Sequence, residues 1–219
     1  MKKILVTLAL YLVFFTTYAQ STDSTQAGTK STNKSTSEVQ TLLNGKSHFG
    51  FFVAPVIKGG LIMDEAALLP GLRLGWTINR VVSLGFEGYG LAPTITRNDI
   101  LDNQKVRPLM GYGGFFIEPI IGSKKLVHIT TPVMIGAGWI GHIRDWNDER
   151  SEPYRDDLID DQVVWVVEPG INAELNVANF FRVNLGISYR FMSESSLVNT
   201  PIKSFEGLNY SLTLKFGRF

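Results

Sequence analysis

Phe181-Arg182-Val183-Asn184-Leu185-Gly186-Ile187-Ser188-Tyr189-Arg190-Phe191 alternates without a break: every odd position is apolar and every even one is polar or glycine. A side-chain period of two is the period of a β-strand, so the stretch predicts one strand with an apolar face and a face carrying Arg182, Asn184, Ser188 and Arg190. Two folds are compatible with such a strand. In a soluble sandwich the apolar face is core and the arginines meet water. In a closed barrel set in lipid the faces exchange roles, with apolar side chains outside and charge inside.

Working outward, the same patterning recurs in segments 49–57, 68–79, 82–91, 109–121, 126–140, 162–177 and 208–219, which makes eight strands with 181–191. The links between them sort into two kinds. Residues 79–81, 122–125 and 178–180 are tight hairpin turns, whereas 58–67, 92–107, 141–161 and 192–206 are long and polar. Long and short alternate strictly along the chain. An even-numbered antiparallel barrel with short turns on one rim and longer loops on the other requires that order, and a soluble sandwich does not.

Ahead of the strands, Lys2 and Lys3 precede the apolar run from Ile4 to Phe15 and the small-residue site ending at Ala19, so residues 1–19 predict a cleaved signal peptide. Its apolar core is too short for a spanning helix. Residues 20–46 are dominated by Ser, Thr, Lys, Gln and Asn and predict a flexible periplasmic tether, with one helical turn at 37–43. Residues 47–219 form the single folded domain. The absence of cysteine excludes lipid anchoring at a cysteine, disulfides and thiolate metal sites, and a formal net charge of +1 gives no footprint for nucleic acid.

The signal, the eight amphipathic strands, the loop order and the final Leu-Thr-Leu-Lys-Phe-Gly-Arg-Phe together resemble the small eight-stranded outer-membrane barrels of the OmpA and OmpX type. The resemblance implies an all-β, eight-stranded antiparallel up-and-down transmembrane barrel in the outer membrane of a Gram-negative bacterium. It implies a monomer whose partners are outer-membrane lipid and lipopolysaccharide. The C-terminal aromatics Phe216 and Phe219 would be the signal read by the barrel assembly machinery. Phe219 is out of phase with Phe216, which predicts a bulge at Gly217.

With the apolar faces in lipid, the lumen receives Arg73, Arg182, Arg190 and Lys215 together with Glu87, Glu118, Glu168 and Glu174. Eight strands enclose a space just wide enough for side chains, and buried charges must be paired. The expectation is a salt-bridged plug that stiffens the barrel and blocks conduction, so that the role is structural or surface-interacting. Glu118-Pro119 and Glu168-Pro169 repeat one pattern; proline lacks a ladder donor, so each Glu is expected at a bulge that aims it at Arg182 or Arg190.

Three other readings compete with the plug: a passive conduit for small or hydrophobic molecules, a soluble lipocalin-like ligand-binding barrel with its faces reversed, and a lipid A-modifying barrel enzyme. The enzyme would need a His, Ser and Glu set on the lipid face, where only Thr131 offers a nearby hydroxyl; His128 points inward. No zinc spacing or phosphate loop occurs, and no cofactor is implied. The loop 142–161 is acidic, with eight carboxylates from Asp145 to Asp161. It reads as a solvated loop, or as a bridge through cations to lipopolysaccharide phosphates, although Arg150 stands where a calcium loop needs glycine. Trp76, Trp139 and Trp165 fall near strand ends, where aromatic belts lie.

Overall fold

The computed structural model describes residues 48–93, 97–101, 104–144, 158–194 and 200–219, with backbone alone at 97–101, 104–105 and 144. The expected signal, tether and helical turn, and residues 145–157 of the acidic loop, lie outside the described residues. Among the described residues the chain forms strands β1 (Phe49–Ile62), β2 (Glu65–Ile78), β3 (Val82–Gly90), β4 (Arg97–Leu101), β5 (Gln104–Ile121), β6 (Val127–Thr130), β7 (Val133–Arg144), β8 (Leu158–Ala178), β9 (Phe181–Met192) and β10 (Gly207–Arg218), with a 3-10 turn at Ile202–Ser204. Every pairing is antiparallel. β1 joins β2, β2 joins β3, β3 joins β5, β5 joins β6 and β7, these join β8, then β9 and β10 follow, and β10 returns to β1. The sheet therefore closes as a barrel of eight staves, with no free edge among them. β4 pairs with β5 as an arm at the long-loop end.

The expected strand 126–140 is two strands in one stave. Its interruption at Thr131-Pro132 lies beside Pro119 of β5 and near Pro169 of β8, so three residues without an N–H donor gather where the ladder lapses. The register does not change there: Ile117 opposes Val133 and Ile120 opposes Thr130. The bulges expected at Pro119 and Pro169 are thus absent, because the break on the middle stave removes the need for them. Gly217 needs no bulge either, since the β1–β10 register runs evenly from Phe51 opposite Arg218 to Gly60 opposite Asn209.

One expected long loop is also absent. β1 and β2 extend until only Met63 and Asp64 separate them, both with positive φ (54° and 63°), which is the two-residue type I′ hairpin whose twist matches the strands. Asn79 and Arg80 (φ 50° and 59°) make a comparable turn at the opposite rim, as the sequence predicted.

Alternation places the predicted apolar faces outward: Val163 and Trp165 are 69% and 71% exposed, whereas Glu118, Glu174 and Arg190 are at 0%. Apart from the Phe86–Phe115 pair between them, the outward aromatic side chains collect at two heights on that surface. Phe49, Phe51, Trp76, Phe180 and Phe216 ring the short-turn end, and Trp139, Trp165, Tyr189 and Tyr210 ring the other, where the Trp139 indole Nε1–H donates to Asp161 at 2.6 Å. On β1 the rings meet at Phe51, beside Trp76, and at Gly59, beside Tyr210. At ~3.3 Å per residue and ~40° of tilt the interval is about 20 Å of height, near the ~25 Å apolar band of a membrane barrel.

β5 and β8, at 18 and 21 residues, run well past the upper ring, since a span takes only ~9–11 residues. There the interior changes character. Ile62, Leu69, Val106, Ile140, Val164 and Phe205 fill the long-loop end as an apolar core, and the charged side chains, interleaved with Phe52, Ala54, Val56 and Phe116, occupy the rest of the lumen.

Candidate functional site

Six of the eight predicted luminal residues form one chain of alternating charge. Arg73 and Glu87 face each other across β2 and β3, and the Arg73 Nε lies 2.6 Å from Glu87 Oε2. The Arg73 Nη2 donates to Glu118 at 2.8 Å, and the other Glu118 oxygen accepts from Lys215, which also donates to Glu174. Glu174 is the hub. It further accepts from Arg182 Nη1 at 2.9 Å and Asn184 Nδ2 at 3.2 Å, and lies 3.0 Å from His128 Nε2. Register explains why Glu174 is needed there: Lys215 and Arg182 stand directly opposite one another on β10 and β9, a repulsive pair unless a carboxylate is shared between them. Aromatic faces complete the shell. The Arg73 guanidinium sits 4.1 Å over Phe116, and that of Arg182 3.9 Å over Phe219.

The seventh residue, Glu168, forms a separate pair with Lys58 (Nζ to Oε1, 2.6 Å), and Ser188 Oγ donates to the same oxygen at 2.5 Å. The Lys58 ammonium also lies 3.5 Å over the Tyr89 ring. Between the two clusters is a cavity of about 30 Å³ lined by Lys58, Arg73, Glu87, Glu168, Ser188 and Thr213, among others, which is room for roughly one water molecule.

The eighth, Arg190, stands apart. Its Nε donates to the Phe205 carbonyl at 2.8 Å and its Nη1 to Asn209 Oδ1 at 3.2 Å, and no carboxylate among the described residues bridges it. The expectation that Glu118 and Glu168 neutralise Arg182 and Arg190 is therefore corrected. Glu118 reaches Arg73 and Lys215, Arg182 lies beside Glu174 because its own strand partner is Asn176, and Glu168 is held by a lysine that belongs to β1 and not to a loop.

The two C-terminal aromatics part company. Phe216 faces outward and stacks on Phe181 at 4.8 Å, and Phe219 turns inward against Phe52 at 6.0 Å, its carbonyl held by Arg80. His128 lies inside, as expected. His142, Asp160 and Asp161, expected in a loop, are strand residues. The His142 Nδ1 is 2.7 Å from Asp160 Oδ1 and its Nε2 is 3.4 Å from Thr200 Oγ1. This line resembles a nucleophile-base-acid arrangement, but His142 and Thr200 are both buried, so what it does is fasten the chain before β10 to the barrel wall. Among the described residues no cluster of three or more histidine or carboxylate side chains is placed to hold a metal ion.

Closed staves, an apolar exterior and a charged interior define the class of antiparallel eight-stranded barrels of inverted polarity. No protein-family model and no curated protein matches the sequence. Among solved structures the chain is similar to the N-terminal β-barrel domain of Pseudomonas aeruginosa OprF, at 9% identity and a TM-score of 0.49 over 77% of this chain and 96% of that one. It is also similar to Neisserial surface protein A, at 10% identity and a TM-score of 0.45 over 79% and 97% of the two chains. A third is Ail, the attachment invasion locus protein of Yersinia pestis, at 9% identity and a TM-score of 0.42 over 78% and 97%. The closed ring of strand pairing establishes the barrel without help from these likenesses.

Proposed function

We propose that the chain is an integral barrel of a Gram-negative outer membrane with a structural or surface-interaction role and a lumen sealed against conduction. The observation that carries the reading is the inverted polarity. About 20 Å of outer wall is apolar between two aromatic rings, and the interior holds paired charges that a soluble barrel would have put in water. Burying so many charged groups is tolerable because all of them but Arg190 are ion-paired and Arg190 is hydrogen-bonded, and a network packed that tightly leaves little for an ion to pass through. The apolar core at the long-loop end supports the sealed reading, because a dry constriction resists ions as a charged one does. The N-terminal signal pattern and the terminal aromatics support delivery to the outer membrane by the barrel assembly machinery, with the long loops outside and lipopolysaccharide around the wall.

Cell fractionation tests the location. The protein should sediment with outer membranes and migrate faster on gels before boiling than after; recovery in the soluble periplasm with no such shift would revive the lipocalin-like reading.

A further inference from the structure

Among the described luminal cations, Arg190 is the one held only by neutral groups, and the way it is held is uneven. The Nε–H and one Nη2–H of a guanidinium point in parallel from a single edge, the edge that receives both oxygens of a carboxylate. In Arg190 the Nε donates to the Phe205 carbonyl, while Nη2, fully buried, finds no acceptor among the described residues. A peptide carbonyl supplies one oxygen where the fork has room for two. Phe205 itself is at 0% exposure in the apolar cluster with Ile62, Met110, Ile140 and Met192. It lies on the short segment after Thr200, tied down by the Met63 N–H to Ser204 carbonyl bond (2.7 Å) and by Thr200 against His142. Below Arg190 the Lys58–Glu168 pair blocks the way.

An apolar group in a chamber with its oxygen on an arginine fork is the layout of a hydrophobic carboxylate. The geometry points to a binding site at the long-loop end for a short alkyl or aryl monocarboxylate arriving from the aqueous side. The Phe205 segment occupies that site as a built-in competitor and leaves when the ligand enters. The ligand's carboxylate fills both positions on the Arg190 edge, its apolar part replaces the Phe205 ring, and the buried guanidinium, which has Glu168 only at a distance, gains a directly bonded counter-charge. Met63, Met110 and Met192, unbranched and adaptable, suit a chamber that must fit more than one occupant. The inference needs only that this end open to water, so it stands or falls separately from the membrane role.

The test is calorimetric titration of the full chain in lipid nanodiscs with 4-phenylbutyrate, using 4-phenylbutyramide and empty nanodiscs as references. Phe205→Ala should bind the carboxylate about tenfold or more tighter than the unaltered chain does, and by a similar factor tighter than the amide, the scale expected of a charge-assisted pair. Adding Arg190→Gln to that variant should abolish the preference. Equal heats for acid and amide, a preference that survives Arg190→Gln, or no saturable heat above empty nanodiscs in a folded Phe205→Ala barrel would each overturn the site. If Phe205→Ala does not fold, Phe205→Leu, which keeps most of the apolar volume, is read by the same comparisons.

Discussion

At the scale of single residues, the network behaves as pairs whose members cannot be removed one at a time. Glu168→Ala leaves the Lys58 ammonium buried with only the Tyr89 ring and a long hydrogen bond to the Tyr112 hydroxyl, and Glu174→Ala strips a carboxylate from both Arg182 and Lys215. Each should cost about 3 to 5 kcal/mol, read as a lower midpoint in urea unfolding from lipid vesicles. Lys58→Met combined with Glu168→Leu removes both charges and should come back to within about 1 kcal/mol of the starting stability. If the single Glu168 substitution were neutral, the pair would not be holding the wall together. The inward set Arg73, Glu87, Glu118, Glu168, Glu174, Arg182, Arg190 and Lys215 was legible in the sequence because strict alternation fixes which face each occupies. Their partners were not. Glu118 and Lys215 are 97 residues apart and meet across the lumen, a contact set by how far the staves shear past one another and not by any local pattern.

At the scale of elements, the Met63-Asp64 turn keeps two L-residues in the left-handed region, at about 1 to 2 kcal/mol each. Glycine adopts that conformation freely and loses about 0.5 to 1 kcal/mol of chain entropy in exchange. Asp64→Gly should therefore stabilise the barrel by about 0.5 to 1 kcal/mol and Asp64→Val should destabilise it, both measured by urea midpoint; the opposite order would refute a type I′ turn. This hairpin escaped the sequence reading for a definite reason. From Lys58 to Ala67 the residues Gly59-Gly60 imitate a loop, and apolar side chains stand on both faces of the strands, Leu61 outside and Ile62 inside, Leu68 outside and Leu69 inside. Where both faces are apolar, alternation carries no signal. The same blindness hid Val164 beside Val163 and Ile140 beside Trp139, and with them the whole apolar end of the lumen. Lys58 was lost with its strand.

At the scale of the whole molecule, a lumen stacked with paired charge below and hydrocarbon above should carry no ionic current. Planar-bilayer recording of the purified barrel should show a silent baseline, and stable nanosiemens steps would bring the conduit reading forward. The stacking also divides the molecule thermodynamically. In the membrane proposed for it, the wall between the aromatic rings cannot open locally without leaving backbone donors and acceptors unpaired in hydrocarbon. From the upper ring outward, β5, β7 and β8 enclose Ile140, Val164 and Phe205 as a water-soluble protein encloses its core. Only that end can open locally into water, and so with an appreciable heat-capacity change. Cooling should consequently loosen it first, so amide exchange near 0 °C should quicken in the upper parts of those strands while the girdled band between the rings stays protected.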